Sequence, residues 1–148
     1  MNVEEILKTQ KKIPLVTRTV IHLMLVNNRI SEASTHALKP YDVSTEQFNV
    51  LRILQGQGDR PANLSTLNER MITKMSNTSR LVDKLLAKGY VSRAVCESNR
   101  RKIEIRITPK GLKALEDMSR AVKAMEEELL KNFAKPQLQQ LNALLDNF

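Results

Sequence analysis

The sequence has no tryptophan, and two tyrosines and three phenylalanines are its whole aromatic content across 148 residues. An interior without large rings must be built from Leu, Ile, Val, Met and Ala, which favours helix packed on helix. A single cysteine, Cys96, excludes an internal disulfide and fits a reducing, cytoplasmic setting. The start, MNVEEILKTQKK, carries early acids and no uninterrupted apolar stretch, so no secretory signal is expected. The apolar run from Pro14 to Val26 is broken by Arg18 and His22, too short and too polar to span a bilayer, and no membrane partner is expected. No glycine-rich phosphate loop, HExxH or CxxC pair occurs. His22 and His36 share a helix face but stand about 21 Å apart along its axis, too far to hold one metal ion, and read as surface or interface residues. Neither a nucleophile–base pair nor a metal site can be assembled, so no enzyme, cofactor or metal is expected.

What the chain has is positive charge, +8 in net and unevenly placed. Residues 41–110 hold 13 Lys and Arg against 7 Asp and Glu, and 91–110 alone hold 6 against 2. Such a concentration suits a polyanion, because each phosphate neutralised releases condensed counterions. A solvated cationic face kept for solubility is the competing reading of charge alone.

Periodicity divides the chain. Leu15 to Leu38 contains no Gly or Pro and repeats apolar residues at three- and four-residue steps, which predicts one long helix started near Pro14 and ended by Pro40. Ser44 and Gln47 form a capping box before the stripe Phe48, Val50, Leu51, Ile53 and Leu54. The turn cluster GQGDRPAN, 56–63, closes that helix, and Asn63 caps a short one through Leu64, Leu67 and Met71. Thr73 is expected to cap the next, from about Lys74 to Lys88, stopped by Gly89. The period then changes to two. Tyr90, Val91, Ala94 and Val95 form one strand, and Ile103, Ile105 and Ile107, alternating with Glu104 and Arg106, a second, with a charged tip ESNRR between them. Thr108 and Pro109 open a last long helix, whose seam runs from Leu112 through Leu115, Met118, Val122, Met125 and Leu129 to Phe133. After the break at Ala134–Lys135–Pro136, Leu138, Leu141, Leu144, Leu145 and Phe148 mark a final short helix.

This order reads as a mostly α chain with a small β-hairpin wing, a winged helix-turn-helix flanked by helices at both ends. Residues 1–40 form an N-terminal helical dimerisation segment, 41–110 the winged helix-turn-helix DNA-binding domain and 111–148 the C-terminal dimerisation helices. Two long terminal helices cannot both bury their apolar stripes on a seventy-residue middle, so a second copy of the chain is expected to cover them.

The chemistry concentrates in the helix before the hairpin. Its apolar residues, Leu81, Val82, Leu85 and Leu86, sit in its second half, while Ser76, Asn77, Thr78, Ser79 and Arg80 make a small, hydrogen-bonding nose. Short hydroxyl and amide side chains let the backbone approach base edges in a major groove, where Asn and Arg make bidentate contacts. A cap-rich first turn is the plainer reading of the same residues. The hairpin adds fixed charge beside it: Arg100 and Arg101 suit a narrow minor groove, and Lys102 a phosphate. The candidate DNA-binding residues are Lys74, Ser76, Asn77, Thr78, Ser79, Arg80, Lys84, Arg100, Arg101 and Lys102.

The stretches TSRLVDKLLAKGYVSR, 78–93, and NRRKIEIRITPKG, 99–111, resemble the MarR family of bacterial transcription regulators, and the order of elements matches over essentially the whole chain. The resemblance implies a homodimer that binds a pseudo-palindromic operator in double-stranded DNA, with the helices after Thr73 in successive major grooves and Arg100 in the flanking minor groove. The family's wing carries an acid where this chain has Asn99, which cannot form an ion pair. The resemblance further implies a repressor released by a small amphipathic effector bound between the paired helices and the winged helix. His22, Met24, Arg29 and His36 form no recognisable constellation for such a ligand. Cys96 reads as a small strand residue, with thiolate chemistry promoted by Arg93, Arg100 and Arg101 as the competing reading. A winged helix docking RNA or protein without operator specificity is the alternative to the regulator.

Overall fold

The computed structural model describes residues 1–58, 60–73, 77–96 and 99–148, with the backbone alone at 96 and 99–102. Local sequence sets most of its boundaries. After a short α1 (Val3–Ile6) capped by the Asn2 side chain, α2 runs over Leu15–Leu38 from Pro14, and Pro40 confines the chain to a 3-10 turn, Lys39–Tyr41. Asp42 reverses it in the left-handed conformation, φ 51°, which Asp tolerates better than most residues.

The expected capping box closes at the start of α3 (Thr45–Gly56): Ser44 N–H donates to Gln47 Oε1 at 2.9 Å, and Gln47 N–H to Ser44 Oγ at 3.2 Å. Asn63 Oδ1 accepts from Thr66 N–H at 2.9 Å to cap α4 (Leu64–Arg70). Helix α5 covers Thr78–Ala87 and ends where Gly89 takes φ 69°. There Gly89 N–H donates to Leu86 O at 2.8 Å and Tyr90 N–H to Leu85 O at 3.0 Å, satisfying carbonyls the helix leaves open.

The hairpin pairs β1 (Val91–Cys96) with β2 (Asn99–Ile107) in antiparallel register, Val91 opposite Ile107 and Val95 opposite Ile103. The register slips between Val95 and Cys96, which lies opposite Asn99. The turn cluster 56–63 also carries a strand-like contact: Ala62 and Ile105 exchange both backbone hydrogen bonds, at 3.0 and 2.7 Å. The base of the hairpin is thereby fastened to the loop before α4.

Thr108 Oγ1 accepts from Gly111 N–H at 3.0 Å to cap α6 (Pro109–Leu130), and α7 spans Lys135–Leu145. The seam of α6 is buried in its first half only, at Leu115 and Met118; the expected continuation to Phe133 lies beyond the core, and Phe133 is exposed. Leu38, Leu51, Leu54, Leu67, Leu85, Ile105, Leu115 and Met118 are almost wholly buried together, so α2's end, the winged helix and the first half of α6 share one core.

Candidate nucleic-acid interface

One face of α5 is locked inward. Val82 and Leu85 are at most 1% exposed, and burial of such side chains contributes about 2 kcal/mol each. The ion pair between Asp83 and Arg93, 3.3 Å long, links α5 to β1. Both side chains are 40% exposed or more, so the pair adds at most about 1 kcal/mol. The core, not the ion pair, sets the rotation of the helix.

That rotation turns Ser79, Arg80 and Lys84 to solvent, with Asn77 half-buried at the helix start. Asn77, Arg80 and Lys84 follow at three- and four-residue steps and share one side of the helix. Asn77 sits at the cap position with its side chain not used as a cap, and its carbonyl accepts from Arg80 N–H at 3.1 Å.

Three sequence expectations change here. The helix begins at Thr78, not about Lys74, and Thr73 lies outside it with Met71 already extended at ψ 134°. Thr78 is buried at 3% exposure, and its hydroxyl donates to Asn68 Oδ1. It therefore ties α5 to α4 and leaves the set of base-reading candidates, because a buried, bonded hydroxyl has no path to a groove. Arg100, Arg101 and Lys102 belong to β2, not to a loop tip, and fall in the stretch where the register slips. Their side chains, that of Cys96, and the whole of Lys74 and Ser76 lie outside the described residues.

The sequence reading missed Arg93, Thr108 and Lys110 as the parts that fix this unit. Thr108 Oγ1 donates to Gly89 O at 2.7 Å, Thr108 N–H donates to Tyr90 O at 3.0 Å, and Lys110 Nζ donates to Lys88 O at 2.8 Å while lying 5.6 Å from the Tyr90 ring centre. The first turn of α6 is thus fastened to the corner between α5 and β1. The signal was present in the adjacency of a cap threonine and a glycine, but which backbone it met was not.

A cavity of about 300 Å³ lies between α2 and α6 on one side and α3 with Ile72 and Thr73 on the other. Leu38, Phe48 and Met71 give it apolar walls, and Asn49, Arg52 and Glu126 polar ones. None of His22, Met24, Arg29 or His36 lines it. His22 Nε2 instead stands 3.4 Å from Met1 O. Among the described residues no group of three His, Cys, Asp or Glu is placed to hold a metal ion, and no helix is long and apolar enough to cross a membrane.

Comparison with known proteins agrees with this fold. The model of the MarR family matches residues 43–103. The HTH-type transcriptional repressor IacR of Pseudomonas putida is 27% identical over 124 residues, 84% of this chain and 73% of its own. Two solved structures share the fold. A variant of Escherichia coli MarR complexed with operator DNA superposes with a TM-score of 0.76 at 21% identity, covering 99% of this chain and 98% of its own. The organohalide-sensing regulator RdhR, in its 2,4-dichlorophenol-bound form, gives 0.82 at 18% identity over 99% and 83%.

Proposed function

The chain belongs to the MarR family of transcription regulators, and on that premise we propose that it is a cytoplasmic, non-enzymatic repressor that binds a pseudo-palindromic operator as a homodimer. The observation that carries this reading is the row of half-buried Asn77 and exposed Arg80 and Lys84 on a helix whose other face is held by Val82 and Leu85. A hydrogen-bonding amide and an arginine are presented at fixed azimuth beside a basic hairpin, the arrangement a major groove accepts.

Asn77, Ser79 and Arg80, with Lys74 and Ser76 before them, supply base and nearby phosphate contacts in this reading. Arg100 and Arg101 reach the minor groove, and Lys84 and Lys102 the backbone. The segments 1–40 and 111–148 serve pairing, and 41–110 serves DNA. Support for pairing comes from exposed apolar side chains: Leu15, Val16, Val20, Met24 and Ile30 on α2, and Leu141, Leu144 and Leu145 on α7, which buries none of its residues. A face of this kind on both end helices fits an isologous contact with a second copy. The relative RdhR binds a chlorophenol, and the 300 Å³ cavity between α2, α3 and α6 offers the mostly apolar setting that a small amphipathic effector needs.

The test is selection of bound sequences from a random duplex pool by the purified protein. An inverted repeat is expected. A pool that stays unenriched at moderate salt overturns the operator reading.

A further inference from the structure

The last two turns of α5 border a second cavity, of about 630 Å³, on the opposite side of α3 from the first. Lys84 lines it from α5 and Lys88 from the residue after its end, Lys39 from the 3-10 turn after α2, Asp42 from the end of that turn, and Ser44 and Gln47 from the cap and first turn of α3. Three ammonium groups therefore face one carboxylate. Asp42 Oδ2 holds Lys88 Nζ at 2.6 Å, the charge of Lys84 also acts on that carboxylate without a direct ion pair, and Lys39 forms no ion pair among the described residues. Glu46, in the first turn of α3, lines the other cavity. The α3 start offers no anion seat of its own, because Ser44 and Gln47 spend their side chains on each other's N–H groups. What attracts an anion here is a spread of flexible point charges, better matched to a line of phosphates than to one small ligand.

The placement of the charges says which line. Lys84 and Lys88 continue the row of Asn77 and Arg80 at four-residue steps, so the cationic ledge prolongs the face already assigned to the duplex. Lys39 extends it to the 3-10 turn that follows α2, outside the winged helix. We propose that the duplex contact continues past the winged helix, with Lys39, Lys84 and Lys88 binding backbone phosphates flanking the groove that receives the start of α5. This rests on the DNA-binding reading and enlarges its footprint.

Affinity for the selected duplex and for a random duplex, followed against KCl concentration, tests it in Lys39→Gln, Lys88→Gln and the double variant. Each single change removes one phosphate contact from each of the two copies and lowers the slope of log affinity against log salt by about 1.8, and the double by about 3.6. Both duplexes weaken by the same factor, since phosphates carry no sequence. Lys131→Gln removes the same charge from the far end of α6, roughly 33 Å along that helix from its start, and leaves the slope unchanged. Unchanged slopes in the Lys39 and Lys88 variants, or an equal fall in the Lys131 variant, overturn the proposal. A wild type without sequence preference, yet with a slope that depends on Lys39 and Lys88, sinks the operator reading and keeps this one.

Discussion

In the proposed reading, Asn77 and Arg100 divide the work of recognition by chemistry. An amide can satisfy two base-edge atoms at once, so Asn77→Ala is expected to relax sequence preference and cost about 1–3 kcal/mol on the selected duplex. Equal losses on selected and random duplexes would remove Asn77 from the base-reading set. Arg100→Ala is expected to weaken both and flatten the salt slope, and titration at several KCl concentrations checks it. The sequence showed the polarity of Ser76 to Arg80 but not which hydroxyl would be consumed internally. Thr78 looks identical to Ser79 along the chain, and only the approach of Asn68 separates a packing residue from an exposed one.

Acid acts on the contact between α1 and α2. The Arg18 guanidinium hydrogen-bonds Glu4 at 2.9 Å and holds its carboxyl below the ordinary value of 4.5. A lowered folded pKa gives a contribution complete above the ordinary value and lost as pH falls through the lowered one. Attachment of α1 to α2 should therefore loosen only below the ordinary glutamate range. Hydrogen exchange at Leu7 and Thr9, whose N–H groups bond Val3 and Glu4 carbonyls, should accelerate there in wild type. In Glu4→Gln it should be fast already at neutral pH, and equal protection in the variant would refute the role.

At the scale of the elements, the junction of α5, β1 and α6 leaves no room for a side chain at Gly111. A Cβ on Gly111 would fall on the Tyr90 carbonyl and crowd the Ile107 side chain, and neither a backbone carbonyl nor a helix start can move aside cheaply. Gly111→Ala is expected to destabilise by about 3 kcal/mol or more, read as a shift of the urea midpoint. A loss below about 1 kcal/mol would show that α6 can slide on the corner. The sequence marked this region only as a cap followed by a helix. It gave no sign that the same threonine also donates across to Gly89 O, because residues 89 and 108 meet only when the hairpin closes. The misplaced start of α5 has a similar origin: small polar residues suit a cap and a helix nose equally, and burial of Thr78 decides between them.

At the scale of the whole molecule, the exposed apolar face of α2 is the surface proposed to pair with a second copy, and two-site binding is expected to depend on that pairing. Val20, half exposed in one copy, should tolerate a charge if it faces solvent and reject it if it faces a second chain. Val20→Glu is expected to bring the mass in light scattering from a dimer toward the 16.9 kDa chain and to abolish two-site operator binding, with the helical circular dichroism kept. A dimer that persists would move the interface elsewhere.

The sequence by itself determined the order of the elements, nearly all helix ends and the concentration of charge, since caps, prolines, glycines and apolar periods act through neighbours a few residues away. The tertiary structure alone decided what distant segments do to one another: the bridge from Ala62 to Ile105, the inward turn of Thr78, the clamp of Thr108 on Gly89, and the meeting of Lys39 with Lys84 and Lys88 around one cavity. Those pairings depend on how two elements pack, and packing is fixed by the shape of the whole core rather than by any stretch of the chain.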